Sequence, residues 1–101
     1  MHIEKRHFKI VQSILKKYAY TFYAFGSRVT GKNKKLSDLD LVYFETISYQ
    51  ELAHLEEDFE KSDLPFTVDI VNWNTCEVAF QKKIIQNLEY IQGSKPFPTH
   101  S

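Results

Sequence analysis

The chain has 101 residues, a length that suits one small domain rather than two. Its 43% apolar and 26% charged content excludes disordered and collagen-like classes, and 13 basic residues balance 13 acidic ones. Zero formal charge gives no case for a bulk nucleic-acid or membrane-surface binder, leaving only a local basic patch open.

The first segment, from Ile3 to Tyr18, sets Ile3, His7, Ile10, Val11, Ile14, Leu15 and Tyr18 on one stripe. That spacing predicts an amphipathic helix with Lys5, Arg6, Lys9, Lys16 and Lys17 turned largely away from the core. Thr21 to Phe25 is rich in aromatic residues and stopped by Gly26, which reads as a strand. The polar run from Gly31 to Lys35 reads as a loop. Leu39 to Phe44 predicts a second strand. Ser48 with Glu51 three residues on is a capping-box signature opening a helix through about Lys61, with Leu52, Leu55, Glu56 and Phe59 on one face.

Leu64-Pro65 breaks the chain, and Phe66 to Val71 predicts a third strand. Asn74 and Glu77 repeat the capping pattern. They predict a last helix through about Ile91, burying Val78, Ile84, Ile85, Leu88 and Ile91, with Phe80 and Leu88 shared with another surface. Residues 1–92 are expected to form one domain and 93–101 a flexible tail, because Gly93, Pro96 and Pro98 cannot continue a helix. The expected architecture is α/β in the α+β sense: a small mixed sheet of about three strands flanked by helices.

The solitary Cys76 cannot form an internal disulfide, and no His/Cys cluster has zinc-ligand spacing. No apolar run approaches the roughly 18 residues of a membrane helix, and no signal-type apolar region opens the chain. A soluble cytoplasmic domain is the expectation.

The informative residues are acids in strands. Asp40 stands between Leu39 and Leu41, and Asp69 between Val68 and Ile70. Aspartate is depleted in strands, and burying an unpaired carboxylate is costly. Strand side chains alternate, so Asp38 and Asp40 share a face, where each raises the other's pKa unless something positive lies between them. A divalent cation removes that conflict, and oxygen-only donors favour Mg²⁺ or Mn²⁺ over zinc. Each acid alone has an ordinary explanation: a turn at Ser37-Asp38, or a basic partner or strand-end exposure for Asp69. Three together on adjacent strands are harder to explain that way.

Phe25-Gly26-Ser27-Arg28 is the second feature. Glycine at a strand end lets the backbone approach a ligand closely, and Ser27 adds a hydroxyl. Amides at the start of a following helical turn suit a phosphate. Arg28 offers a fork for phosphate oxygens, and Lys32, Lys34 and Lys35 make the next loop positive. Gly-Ser after a strand is by itself usually just a turn.

Gly26-Ser27, ten intervening residues, Asp38-Leu39-Asp40, and later Val68-Asp69-Ile70-Val71 closely resemble the DNA polymerase β-type nucleotidyltransferase superfamily. The run from Ala24 to Gly31 and the short chain resemble its minimal nucleotidyltransferases, over roughly residues 10 to 90. The resemblance implies a palm-like fold, with Gly26 and Ser27 holding the triphosphate; Arg28, beside them, is the candidate for stabilising its charge. The resemblance also implies Asp38 and Asp40 as ligands of two Mg²⁺ ions (Mn²⁺ as a substitute), and Asp69 as the third catalytic carboxylate, which helps bind one metal and activates the acceptor hydroxyl. Asn72 stands where relatives often carry another acid, which reads as variation around an intact triad. The implied reaction moves a nucleoside monophosphate, AMP from ATP foremost among NTPs, to an acceptor hydroxyl.

Members of this minimal type are paired with a small helical protein of HEPN type, so the resemblance implies a substrate-binding partner or a toxin silenced by modification. A homodimer or a heterotetramer is compatible with such a pair. Six tyrosines and eight phenylalanines are many for so small a core, and Tyr49, Trp73, Phe80 and Tyr90 are candidates for its docking surface. The competing functions are a small-molecule nucleotidyltransferase and a non-catalytic nucleotide-binding or partner-masking subunit. A nucleic-acid acceptor is disfavoured because no basic track is evident.

Overall fold

The computed structural model describes residues 1–94. The predicted tail therefore falls mostly outside the described residues, apart from Gly93 and Ser94. Helix α1, Lys5–Leu15, is shorter than its periodic stripe, and it buries Val11, Ile14 and Leu15. Strand β1, Phe22–Phe25, is buried throughout. One helical turn, α2, Ser27–Thr30, follows immediately. Strand β2, Leu39–Tyr43, leads through a turn to helix α3, Tyr49–Glu60. The predicted cap forms there, with Ser48 accepting the Glu51 amide at 3.1 Å.

Strand β3, Val68–Asn72, runs parallel to β2 in the register Leu39↔Val68, Asp40↔Asp69, Leu41↔Ile70. A parallel pair needs a crossover, and α3 supplies it. Strand β1 runs antiparallel to β2, with Phe25 opposite Asp40. The alternation of strand side chains then divides the interior into two. Phe22, Ala24, Leu39, Leu41 and Tyr43 pack with α1 and α3, on Val11, Ile14, Leu15, Leu55 and Phe59. Tyr23, Phe25 and Val42 pack on the opposite face with Trp73 and Ile84. Full burial of a side chain such as Leu41 contributes about 1.5–3 kcal/mol.

The last third of the chain departs from the sequence expectation. A short 3₁₀ turn, Trp73–Thr75, precedes helix α4, Val78–Ile84. The anticipated Asn74 cap is absent: Asn72 Oδ1 accepts the Asn74 amide, while Asn74 Nδ2 donates to the Phe44 carbonyl. Helix α4 ends seven residues early. A second 3₁₀ turn, Ile85–Asn87, leads into strand β4, Glu89–Gln92, which pairs antiparallel with β1. The sheet is mixed and four-stranded, ordered β3-β2-β1-β4.

The physical reason is the free edge of β1, whose amides and carbonyls need partners in a buried strand. Gln92 fastens the new strand by donating from Nε2 to the carbonyls of Leu15, Tyr18 and Tyr20 at 3.0, 2.9 and 3.0 Å. Val78, expected inside, is 58% exposed. Trp73, expected among exposed docking aromatics, is buried against Phe44 at 5.4 Å between ring centroids, whereas Tyr49, Phe80 and Tyr90 are exposed. Among the described residues no helix is long and apolar enough to cross a membrane.

Candidate active site

Strand directions bring the sequence-predicted residues to one end of the sheet. The C-terminal end of β1 carries Gly26 and Ser27, and the N-terminal ends of β2 and β3 carry Asp38, Asp40 and Asp69. Asp40 and Asp69 are register partners, so their side chains stand beside each other on the face shared with Val42.

Gly26 is fitted to this end for two separate reasons. Its φ of 82° is one that residues with a Cβ rarely adopt. A Cβ there would also collide with Asp40 Oδ2 and lie 3.4 Å from its Cγ. The glycine therefore leaves the space that the Asp40 carboxylate occupies. Ser27 opens α2, and the Gly26 carbonyl accepts from the amides of Val29 and Thr30, both at 3.1 Å. Those bonds satisfy the interior of the turn, and the first amides of such a turn point outward along its axis.

Asp38 and Asp69 are exposed, and Asp40 is half-buried. Among the described residues none of the three carboxylates has an ion-pair partner. Burial, then the negative charges of Asp69 and Asp38, push Asp40 up to about 6. This is the electrostatic conflict anticipated from the sequence. An all-oxygen donor set with excess negative charge fits a hard divalent cation. The described residues hold no finished cage of three or more ligating side chains, so the two exposed carboxylates would have to turn toward Asp40 to complete one. A cleft of about 620 Å³ runs past Asp69 between Phe59 and Phe66, and Asp38 and Asp40 do not line it.

Arg28 differs from its sequence-based assignment. The side chain is 4% exposed, and its guanidinium faces the protein rather than the space above Ser27. Nε donates to the Ser37 carbonyl at 3.0 Å, Nη1 to that of His2 at 3.0 Å and Nη2 to that of Lys35 at 3.2 Å. The same group lies 4.2 Å above the Phe66 ring. Burial lowers its pKa, and the Asp38 charge partly offsets that. The reason for the difference is local: three loop carbonyls need donors, and a planar fork meets all of them. Lys32, Lys34 and Lys35 are exposed on the loop that follows.

A family model described as "Polymerase beta, Nucleotidyltransferase" matches residues 9–96. The chain belongs to this nucleotidyltransferase family. A curated relative from Haemophilus influenzae, described as a probable protein adenylyltransferase MntA, is 41% identical over 88 residues, covering 83% of this chain and 77% of the relative. A solved toxin–antitoxin structure with AMP-PNP shares the fold at a TM-score of 0.68 and 18% identity, over 87% of this chain and 74% of that one. The toxin–antitoxin MntA–HepT matches at a TM-score of 0.62 and 16% identity, over 90% and 74% respectively. At those identities the solved structures speak to the fold alone.

Proposed function

We propose that this nucleotidyltransferase moves AMP from ATP to a hydroxyl on a small helical partner of HEPN type, acting as an antitoxin that silences it. The observation that carries the reading is the half-buried Asp40 carboxylate, seated against the bare face of Gly26, beside Asp69, with no cationic partner among the described residues. The partner and the nucleotide are suggested by the relative named as a protein adenylyltransferase and by the matching toxin–antitoxin folds. A cytoplasmic setting suits an enzyme that consumes ATP.

In this reading Gly26 admits the triphosphate close to the backbone. Ser27 donates its hydroxyl and amide to phosphate oxygens at the start of α2. Asp38 and Asp40, joined by Asp69, would hold Mg²⁺, which when bound neutralises the triphosphate and the departing pyrophosphate. Asp69 accepts the proton of the acceptor hydroxyl as the acceptor oxygen bonds to the α-phosphorus, and the bond from that phosphorus to the oxygen bridging it to the β-phosphate breaks, releasing pyrophosphate. The chain's own contribution is mainly position and charge, as in other phosphoryl transfers. Arg28 is left out of the phosphate contacts because its donors are engaged with carbonyls.

The test is incubation of the protein with ATP labelled at the α-phosphate, Mg²⁺ and a small helical protein of HEPN type, with Asp40→Asn in parallel. Label on the partner that requires Asp40 supports the proposal. Label confined to small molecules would make the chain a small-molecule transferase. Nucleotide binding without transfer would leave a masking subunit.

A further inference from the structure

We propose that Arg28 is a positioning residue that holds the segments carrying Asp38 and Asp69 beside Asp40, within reach of a shared cation, by gripping them with one guanidinium. The inference rests on the reading of these acids as cation ligands. Ser37, whose carbonyl takes the Nε bond, immediately precedes Asp38. The Lys35 carbonyl takes the Nη2 bond from the same loop. That loop is itself knit together: the Ser37 amide donates to the Lys34 carbonyl at 3.1 Å and the Lys34 amide to Ser37 Oγ at 2.8 Å. Arg28 thus holds a compact turn rather than a loose strand of chain.

On its other side the guanidinium covers Phe66, three residues before Asp69. The Leu39 amide, donating to the Thr67 carbonyl at 2.9 Å, joins the two acid-bearing segments directly. Arg28 also stands one residue after Ser27, so the same side chain anchors the turn expected to meet the triphosphate. The His2 segment completes the grip: its amide donates to the Arg28 carbonyl at 2.6 Å and its carbonyl accepts from Nη1. Every segment bearing a site residue therefore reaches this one buried cation through one or two links.

The geometry demands a fork. A lysine at the same place has one compact ammonium and no flat face for Phe66, and it cannot keep three carbonyls in different directions. Loss of the grip frees Asp38 to drift from Asp40, which weakens cation binding before it alters nucleotide binding. A direct phosphate contact by Arg28 makes the opposite forecast.

The decisive experiment compares Arg28→Lys and Arg28→Gln with the unsubstituted protein. Mn²⁺ affinity is measured by electron paramagnetic resonance without nucleotide, and kcat and KM for ATP are measured at saturating metal. Both variants are expected to bind Mn²⁺ about tenfold more weakly or worse, with kcat reduced and KM for ATP within about threefold. A rise of about tenfold or more in KM for ATP with unchanged Mn²⁺ affinity would overturn the proposal and assign Arg28 to the triphosphate. Near-complete recovery in Arg28→Lys also overturns it, since charge alone would then suffice.

Hydrogen exchange at the Leu39 amide in EDTA separates this inference from the function it rests on. If the unsubstituted protein neither binds Mn²⁺ nor transfers AMP, the proposed function fails. Faster Leu39 exchange in the variants still supports the grip, and unchanged exchange refutes it. Should the Arg28 variants fail to fold, Phe66→Leu removes only the stacking surface, and it is expected to show the same losses in smaller measure. Unchanged Mn²⁺ affinity and unchanged Leu39 exchange in that variant overturn the proposal.

Discussion

Replacing Asp40 by asparagine preserves the side chain's shape and removes its charge, so it isolates the electrostatic cost of the site. An ordinary aspartate value of 3.8 rises to about 6 in the folded protein. Each unit corresponds to about 1.4 kcal/mol, so the difference amounts to about 3 kcal/mol, which partial exposure to solvent trims to about 2 kcal/mol. The sign follows from proton binding. The folded state holds this proton more tightly than the unfolded state, so stability contributed at low pH is lost as pH rises from about 4 through about 6.

Urea unfolding in EDTA across that range should therefore find Asp40→Asn close to the unsubstituted protein at the acid end. Above neutrality it should be more stable by about 2 kcal/mol, or roughly 8–16 °C in Tm for a domain of this size. Titrating groups that do not interact with Asp40 are common to both proteins and cancel in the difference. Magnesium should reverse the order: at a hundred times its Kd it adds about 2.7 kcal/mol to the protein with the acid, and nothing comparable to the variant. A gain that is the same at both ends of the pH range would refute the reasoning, because it would come from packing rather than charge. No gain at all would refute it equally.

Gly26→Ala should cost about 1–3 kcal/mol in thermal unfolding from the forced φ alone, and it should abolish AMP transfer by displacing the Asp40 carboxylate. Retained transfer would separate Gly26 from the site. Leu41→Ala, at a fully buried position beside the acids, should cost about 2–5 kcal/mol in urea unfolding. The Tyr18 hydroxyl, donating to Asp58 Oδ2 at 2.7 Å, is pushed up to about 12 by burial and by Asp58. Ultraviolet titration should show a phenol ionising near pH 12 that Tyr18→Phe removes, at a cost of about 0.5–1.5 kcal/mol. Solution NMR should find contacts between the Tyr23 and Tyr90 rings, whose centroids lie 5.6 Å apart across β1 and β4. Their absence would restore the helical reading of the last segment.

Much of the site was legible because its residues conflict with their local setting. Aspartate between leucine and leucine, or between valine and isoleucine, is expensive in a strand and invites a reason. The Ser48 cap was legible because its donor lies three residues along the same chain. Strand β4 was not. From Leu88 to Ile91 the residues suit either a helix or a strand, and the choice was made by the unpaired edge of β1, more than sixty residues earlier. The burial of Trp73 is hidden from the sequence for a related reason, since its cover comes from Phe44 and Ile84 rather than from its neighbours in sequence.

Local chemistry thus accounts for the identity of the acids, for the need for a glycine at the end of β1, and for the elements that carry them. Backbone preference, burial cost and side-chain alternation act over a few residues, so they can be read in order along the chain. Tertiary structure alone decided that antiparallel β1 and parallel β3 would meet β2 so that all three segments of the candidate site share one end of the sheet. It also decided the use of Arg28. Its fork is equally suited to a phosphate and to a set of carbonyls, and partners 7, 9 and 26 residues away drew it inward. Long-range pairing of backbone groups settles such questions, because a buried carbonyl left without a donor costs more than an arginine spent on satisfying it.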